Sequence, residues 1–145
     1  KMIELVEDRL DIDTYLELRQ SVQFRELTRD QAKKGLSNSL YTLVAFKDGK
    51  AVGMGRIVGD GAIICYVQDL IIRPEVQGEG IGGLILETLK KFVIQEGYEG
   101  TTMMFDLMCA KGREEFYKKH GFIARPTKDL GPGMIQFIQI GSDEQ

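Results

Sequence analysis

Between Leu70 and Leu86 the chain reads LIIRPEVQGEGIGGLIL, an apolar run that passes through Pro74 into four glycines and straight on into apolar residues at helical spacing. The order is strand, bare-backbone turn, helix. Glycines 78, 80, 82 and 83 leave backbone amides uncovered at a helix start. There the unpaired N–H groups and the positive end of the helix dipole both favour an anion. The turn therefore predicts a phosphate-bearing ligand, with the rest of the chain arranged to bring a strand up to it.

What precedes the turn is mostly sheet. Ile3 to Val6 reads as an edge strand, and Tyr15, Leu16, Leu18 and Val22 carry a helical pattern that runs to about Phe24. Thr28 with Gln31 is a capping-box signature opening a second, short helix. The pair Asp48-Gly49 lies between the apolar runs Tyr41–Phe46 and Ala51–Val58 and predicts a tight hairpin. A third strand is expected over Ala62–Ile72. After the turn, Ile81, Leu84, Ile85, Leu89, Phe92 and Val93 mark a central helix that stops at Gly97. Thr101–Leu107 then reads as a buried strand and Arg113–His120 as a short helix, with closing strands over Phe122–Ala124 and Met134–Ile140. The expected class is mixed α/β (α+β), with a largely antiparallel sheet flanked by helices.

With 145 residues and 43% hydrophobic composition, residues 1–145 are expected to form one domain. A net charge of −3 provides no basic field for nucleic acid. No apolar segment approaches the roughly 18 residues that would span a membrane, and Met2–Val6 is too short for a signal peptide, so a soluble, cytoplasmic protein is expected. Cys65 and Cys109 lie in apolar runs and read as buried free thiols, and one histidine with two such cysteines does not supply a zinc site.

Two families of ligand fit the glycines. Gly78, Gly80 and Gly83 match GxGxxG, and Asp106 follows roughly 20 residues on, where a dinucleotide fold places its ribose-binding acid. That fold opens on parallel strands, whereas here hairpin-linked strands come first. The same residues also read Gln77-x-x-Gly80-x-Gly82, and Phe116-Tyr117-Lys118-Lys119-His120-Gly121-Phe122 follows later. Together with the DLIIRPEVQG segment, these two motifs resemble the acyl-CoA loop and the F-Y-x-x-x-G-F signature of the GNAT N-acetyltransferase superfamily, a likeness covering roughly residues 40–125.

The resemblance implies an enzyme that moves an acetyl group from acetyl-CoA to a primary amine by direct attack, with no covalent intermediate and no metal. It implies that the amides of Gly78, Glu79, Gly80, Ile81, Gly82 and Gly83, with Gln77 ahead of them, hold the coenzyme A pyrophosphate. The backbone of Leu70, Ile71 and Ile72 would pair with the pantetheine arm. A lysine-like amine, with a pKa near about 10.4, costs roughly 4.6 kcal/mol to deprotonate at pH 7, so a base or water chain is useful. The leaving thiolate, at about 8.5, needs about 2 kcal/mol of help to take a proton from a phenol near 10.

Tyr117 holds the signature's tyrosine position and is the expected proton donor; core packing is its plainer role. Asp69, the one carboxylate expected beside the thioester, is the candidate base or amine-orienting anion, its alternative being a strand-edge aspartate. Tyr66 is expected on the strand face opposite Asp69, with Cys65 and Gln68 nearby. Glu79 stands where a Lys or Arg is common, and Ala110 where an Asn is. Arg113, with Lys111, could meet coenzyme A phosphates instead. Asp106 could face the acceptor amine, Leu130–Met134 could edge its pocket, and His120 reads as structural. The expected acceptor is a small-molecule amine; an amino sugar, a peptide N-terminus and a lysine side chain stay open. A homodimer through an edge or final strand is expected. The alternatives are a non-catalytic acyl-CoA-binding module and a dinucleotide-binding oxidoreductase.

Overall fold

The structure, a computed structural model, describes residues 2–141. The chain divides after Met108 into two compact units. The first is a five-stranded sheet in the order β1-β2-β3-β4-β5, made of β1 (Ile3–Glu7), β2 (Tyr41–Lys47), β3 (Lys50–Gly59), β4 (Ile64–Ile72) and β5 (Met104–Leu107). Its first three pairings are antiparallel, and β5 joins β4 in parallel. Asp48 (φ 53°) and Gly49 (φ 80°) turn β2 into β3 with both central residues left-handed, the turn that an Asp-Gly pair accepts and that suits the twist of a hairpin.

Helices cover both faces of this sheet. On one face α3 (Ile81–Glu96) packs Ile81, Ile85, Leu89 and Val93 against Leu43, Ala45, Ile57, Cys65 and Val67. On the other, α1 (Ile12–Ser21) and α2 (Arg29–Ser37) bring Tyr15, Leu18 and Ala32 onto Met54 and Ile71. Thr28 caps α2 in a full capping box with Gln31, as its spacing predicts. Gly55 lets α3 lie close to the sheet: a Cβ there would come within 2.7 Å of Ile85 Cγ2 and 3.0 Å of Leu89 Cδ1.

The β3–β4 register carries a bulge that the sequence pattern does not announce. Arg56 pairs with Asp69 and Ile57 with Val67, so Gln68 is an extra residue with no partner on β3. One added residue reverses the alternation. Cys65 and Val67 share the α3 face with Leu70 and Ile72, while Tyr66 shares the opposite face with Asp69 and Ile71. Tyr66 and Asp69, expected on opposite faces, therefore lie on the same one.

The second unit holds α4 (Glu114–Lys119), where Tyr117 stacks edge-on against Phe116 and Phe122 at ring separations of 5.1 and 5.7 Å. The expected strands at Phe122–Ala124 and Met134–Ile140 are not formed. Neither segment enters a ladder among the described residues, and Met134, Ile135, Ile138 and Ile140 are exposed. Apolar alternation marks a segment that suits a sheet, but an unpaired strand is not stable by itself. The strand expected over Thr101–Leu107 is likewise shorter, at Met104–Leu107, and half-buried. Cys65 is buried as expected; Cys109 is exposed. No helix among the described residues is long and apolar enough to cross a membrane.

Candidate functional site

The strand, glycine turn and helix between Leu70 and Leu86 form one continuous feature. β4 ends at Ile72, a single 3-10 turn follows over Pro74–Val76, and Gly80 caps α3 in a left-handed conformation at φ 86°. Gly78 is also left-handed at φ 87°, and a Cβ at either position would meet nothing within 4 Å. Backbone conformation rather than crowding is what requires glycine at these two positions. Helix geometry leaves the N–H groups of Ile81, Gly82 and Gly83 without intrahelical acceptors, and the first turn of α3 carries no acidic residue to occupy them. The Ile81 side chain is core, so only its backbone faces this role. Gln77 turns its side chain back and donates to the Ile72 carbonyl at 3.0 Å, tying the turn to the end of β4.

The partner strand leaves β4 before β4 ends. β5 pairs only with Ile64–Val67, so among the described residues no strand covers that edge of β4 from Gln68 to Ile72. An open backbone edge thus runs from the bulge at Gln68 toward the glycine turn, and Leu70, Ile71 and Ile72 lie on it. Such an edge can take the amide groups of an extended ligand as a strand takes another strand.

Asp69 does not have the surroundings of a base. It is 2% exposed, and three donors hold it: Tyr15 Oη at 2.7 Å, Arg56 Nε at 2.9 Å and Arg19 Nη1 at 3.2 Å. Burial first, and then the Asp69 charge, push the Tyr15 phenol above its ordinary range, so Tyr15 keeps the proton it donates. The carboxylate expected to act as base or amine-orienting anion is thus engaged by two ion pairs and a phenol. It neutralises two arginines inside the α1–α2 face and ties α1 and β3 to β4. Arg19, Arg56 and Tyr15 carried no sequence signal for this task, because they meet Asp69 only through the fold.

Asp106 has different surroundings. In the parallel register it is the neighbour of Tyr66, on the face that Tyr66 shares with Asp69, one residue before β5 ends. Its Oδ1 is buried without a hydrogen-bond partner. Burial raises its carboxyl above the usual range, and its own backbone N–H offsets part of that rise. The Tyr66 phenol is pushed up as well, first by burial and then by the Asp106 charge.

A cation expected to be missing from the turn arrives from elsewhere in the sheet. Lys47, at the end of β2, pairs with Glu79 at 2.8 Å. Arg73 fixes the start of the turn by donating to the Ala51 carbonyl at 2.7 Å and to Glu17 at 2.8 Å. In the second unit, Arg113 precedes α4 with no side-chain capping bond. Burial raises the Tyr117 phenol, Cys109 adds to the rise and Arg113 opposes it. Tyr117 is thus protonated at neutral pH, the form a donor needs.

Residues 38–124 match the family model of the Acetyltransferase (GNAT) domain. The chain is 31% identical over 100 residues to an uncharacterized N-acetyltransferase of Pyropia yezoensis, covering 66% of this chain and 55% of that relative. It is 29% identical over 80 residues to the chloroplastic GCN5-related N-acetyltransferase 2 of Arabidopsis thaliana, covering 55% of this chain and 30% of the relative. The chain therefore spans from about a third to about half the length of these curated relatives. A probable acetyltransferase from meticillin-resistant Staphylococcus aureus superposes with a TM-score of 0.82 at 28% identity, over 94% of this chain and all of that one.

Proposed function

Because this chain belongs to the GNAT acetyltransferase family, we propose that it transfers the acetyl group of acetyl-CoA to the primary amine of a small molecule by direct attack. One observation carries the reading: the uncovered edge of β4 from Gln68 to Ile72 leads directly into the left-handed glycine turn and the bare N-terminus of α3. Coenzyme A has matching chemistry, an amide-bearing arm joined to a pyrophosphate. The arm would pair with the backbone of Leu70–Ile72, and the pyrophosphate would take the amides of Gly78–Gly83, with Gln77 holding the turn and Lys47 adding positive charge near Glu79.

The thioester then lies at the inner end of the arm, where β4 and β5 part. The amine nitrogen attacks the thioester carbonyl, the N–C bond forms, the C–S bond breaks, and the thiolate receives a proton. Tyr117 is the assigned donor, on the strength of its place in the F-Y-x-x-x-G-F stretch; Arg113 is assigned to the coenzyme phosphates.

Calorimetry with acetyl-CoA and NAD in parallel tests the ligand assignment. Acetyl-CoA binding without an NAD signal is expected, and the reverse result would overturn it. For the donor, Tyr117→Phe is expected to lower turnover in a thiol-release assay while acetyl-CoA affinity holds. Unchanged turnover would remove Tyr117 from the mechanism.

A further inference from the structure

We infer that Asp106 binds the acceptor amine and takes up its proton, with Tyr66 beside it, which makes a cationic alkyl amine the acceptor class of this site. The inference rests on the acetyl-transfer reading above. Three observations lead to it, and all lie in the sheet unit.

The first is position. The β4–β5 ladder ends at Val67–Leu107, and Asp106 occupies the rung before it, level with Tyr66. A thioester at the inner end of an arm bound along Ile72 to Gln68 would meet the chain at this rung. The second is orientation: the Gln68 bulge brings Tyr66 onto the face that carries Asp69, and the parallel register keeps Asp106 there too. The third is an unmet acceptor. Asp106 Oδ1 is one of two buried side-chain polar atoms without a hydrogen-bond partner among the described residues, the other being Arg19 Nε. A buried carboxylate oxygen left in this state asks for a donor, and an ammonium supplies both the hydrogen bond and the opposite charge.

The two carboxylates on this face thereby divide their work. Asp69 spends its charge on Arg19 and Arg56. No salt bridge engages Asp106 among the described residues; the titratable groups on the adjacent strand that feel its charge are Tyr66 and Cys65. A carboxyl raised by burial lies closer to the amine in proton affinity than an ordinary one, which lowers the cost of the transfer. In the balanced step the ammonium gives one proton to Asp106 and becomes a neutral nucleophile. Its nitrogen forms the N–C bond as the C–S bond breaks. The second proton lost from nitrogen is matched by the one the thiolate gains, and Asp106 returns its own proton to water.

The test compares the wild-type protein with Asp106→Asn and Asp106→Glu, using acetyl-CoA with 1,5-diaminopentane and 2-phenylethylamine as alkyl amines and methoxyamine as one that is already neutral at pH 7. Asp106→Asn is expected to lower kcat/KM for the alkyl amines about 100-fold or more, to affect methoxyamine far less, and to lose the acidic limb of the pH–rate profile. Its acetyl-CoA affinity by calorimetry should stay at the wild-type value, and Asp106→Glu should restore part of the rate. An Asn variant that keeps its kcat/KM for the alkyl amines, or keeps the same acidic limb, would overturn the role of Asp106 and leave the acetyl-transfer reading standing. A wild-type protein that binds no acetyl-CoA would instead overturn that reading, and this inference with it.

Discussion

The Tyr15 hydroxyl donates a 2.7 Å hydrogen bond to Asp69 Oδ2 across 54 residues of sequence, and Arg56 Nε meets the same oxygen at 2.9 Å. Asp69 is thus the point at which α1, β3 and β4 are joined. Removing its charge takes the counter-ion in this cluster from the buried Arg56 and the part-buried Arg19. Asp69→Asn is expected to destabilise the fold by about 3–5 kcal/mol. Tyr15→Phe, which removes one hydrogen bond to a charged group, should cost about 1.5–3 kcal/mol. Chemical denaturation measures both, and an Asp69→Asn protein of wild-type stability with lost turnover would restore Asp69 to the chemistry.

Gly55 tests how closely α3 must lie against the sheet. An added methyl group meets Ile85 Cγ2 at 2.7 Å and Leu89 Cδ1 at 3.0 Å, and both side chains belong to the core. Gly55→Ala should therefore cost about 1–3 kcal/mol by overpacking. A Gly55→Ala, Leu89→Ala double variant should lose less stability than the sum of the two single losses, since the second change removes one of the two side chains that the added methyl meets. Thermal melts of the three variants decide this.

The elements most legible in the sequence were those whose cause is local. The Asp48-Gly49 turn, the Thr28–Gln31 capping box and the left-handed glycines ahead of α3 each need only a few adjacent residues of the right type. What the sequence did not reveal depends on partners far along the chain. The Gln68 bulge exists only in the pairing of β4 with β3, yet it decides which face Tyr66 occupies. Asp69 looked available because its partners stand 13, 50 and 54 residues away. The apolar residues of 134–140 suggested a strand, but composition supplies only a suitable side-chain pattern, and a strand also needs an edge to pair with.

Lys47 and Glu79 form a partly exposed pair beside the glycine turn, 2.8 Å apart. Glu79 holds the lysine and also places a negative charge where coenzyme A phosphates are proposed to bind. Glu79→Gln should tighten acetyl-CoA binding by about two- to fivefold at low salt, and Lys47→Ala should weaken it by a similar factor, in keeping with the modest size of surface charge effects. Both changes should shrink as ionic strength rises, because salt screens exposed charges. Calorimetric titrations at two salt concentrations give the comparison; an effect that is equal at both would point away from electrostatics.

Asp106 should reveal itself in stability as well as in rate. Burial raises its folded-state pKa, so the folded protein holds this proton more tightly than the unfolded chain does. The stability this provides is fully present below the unfolded value of about 3.9 and is lost as pH rises through the raised folded value. At pH 7 the ionised carboxylate therefore opposes folding, and an amide in its place does not ionise. Asp106→Asn should melt at a higher temperature than wild type at pH 7, and the difference should narrow as pH falls toward about 3.9. If the same variant has also lost turnover on alkyl amines, one substitution will have gained stability and lost function, as expected where a buried charge is kept for chemistry. A melting difference that does not change with pH would mean that Asp106 is not held in this unfavourable charged state, and would remove the physical reason for its basicity.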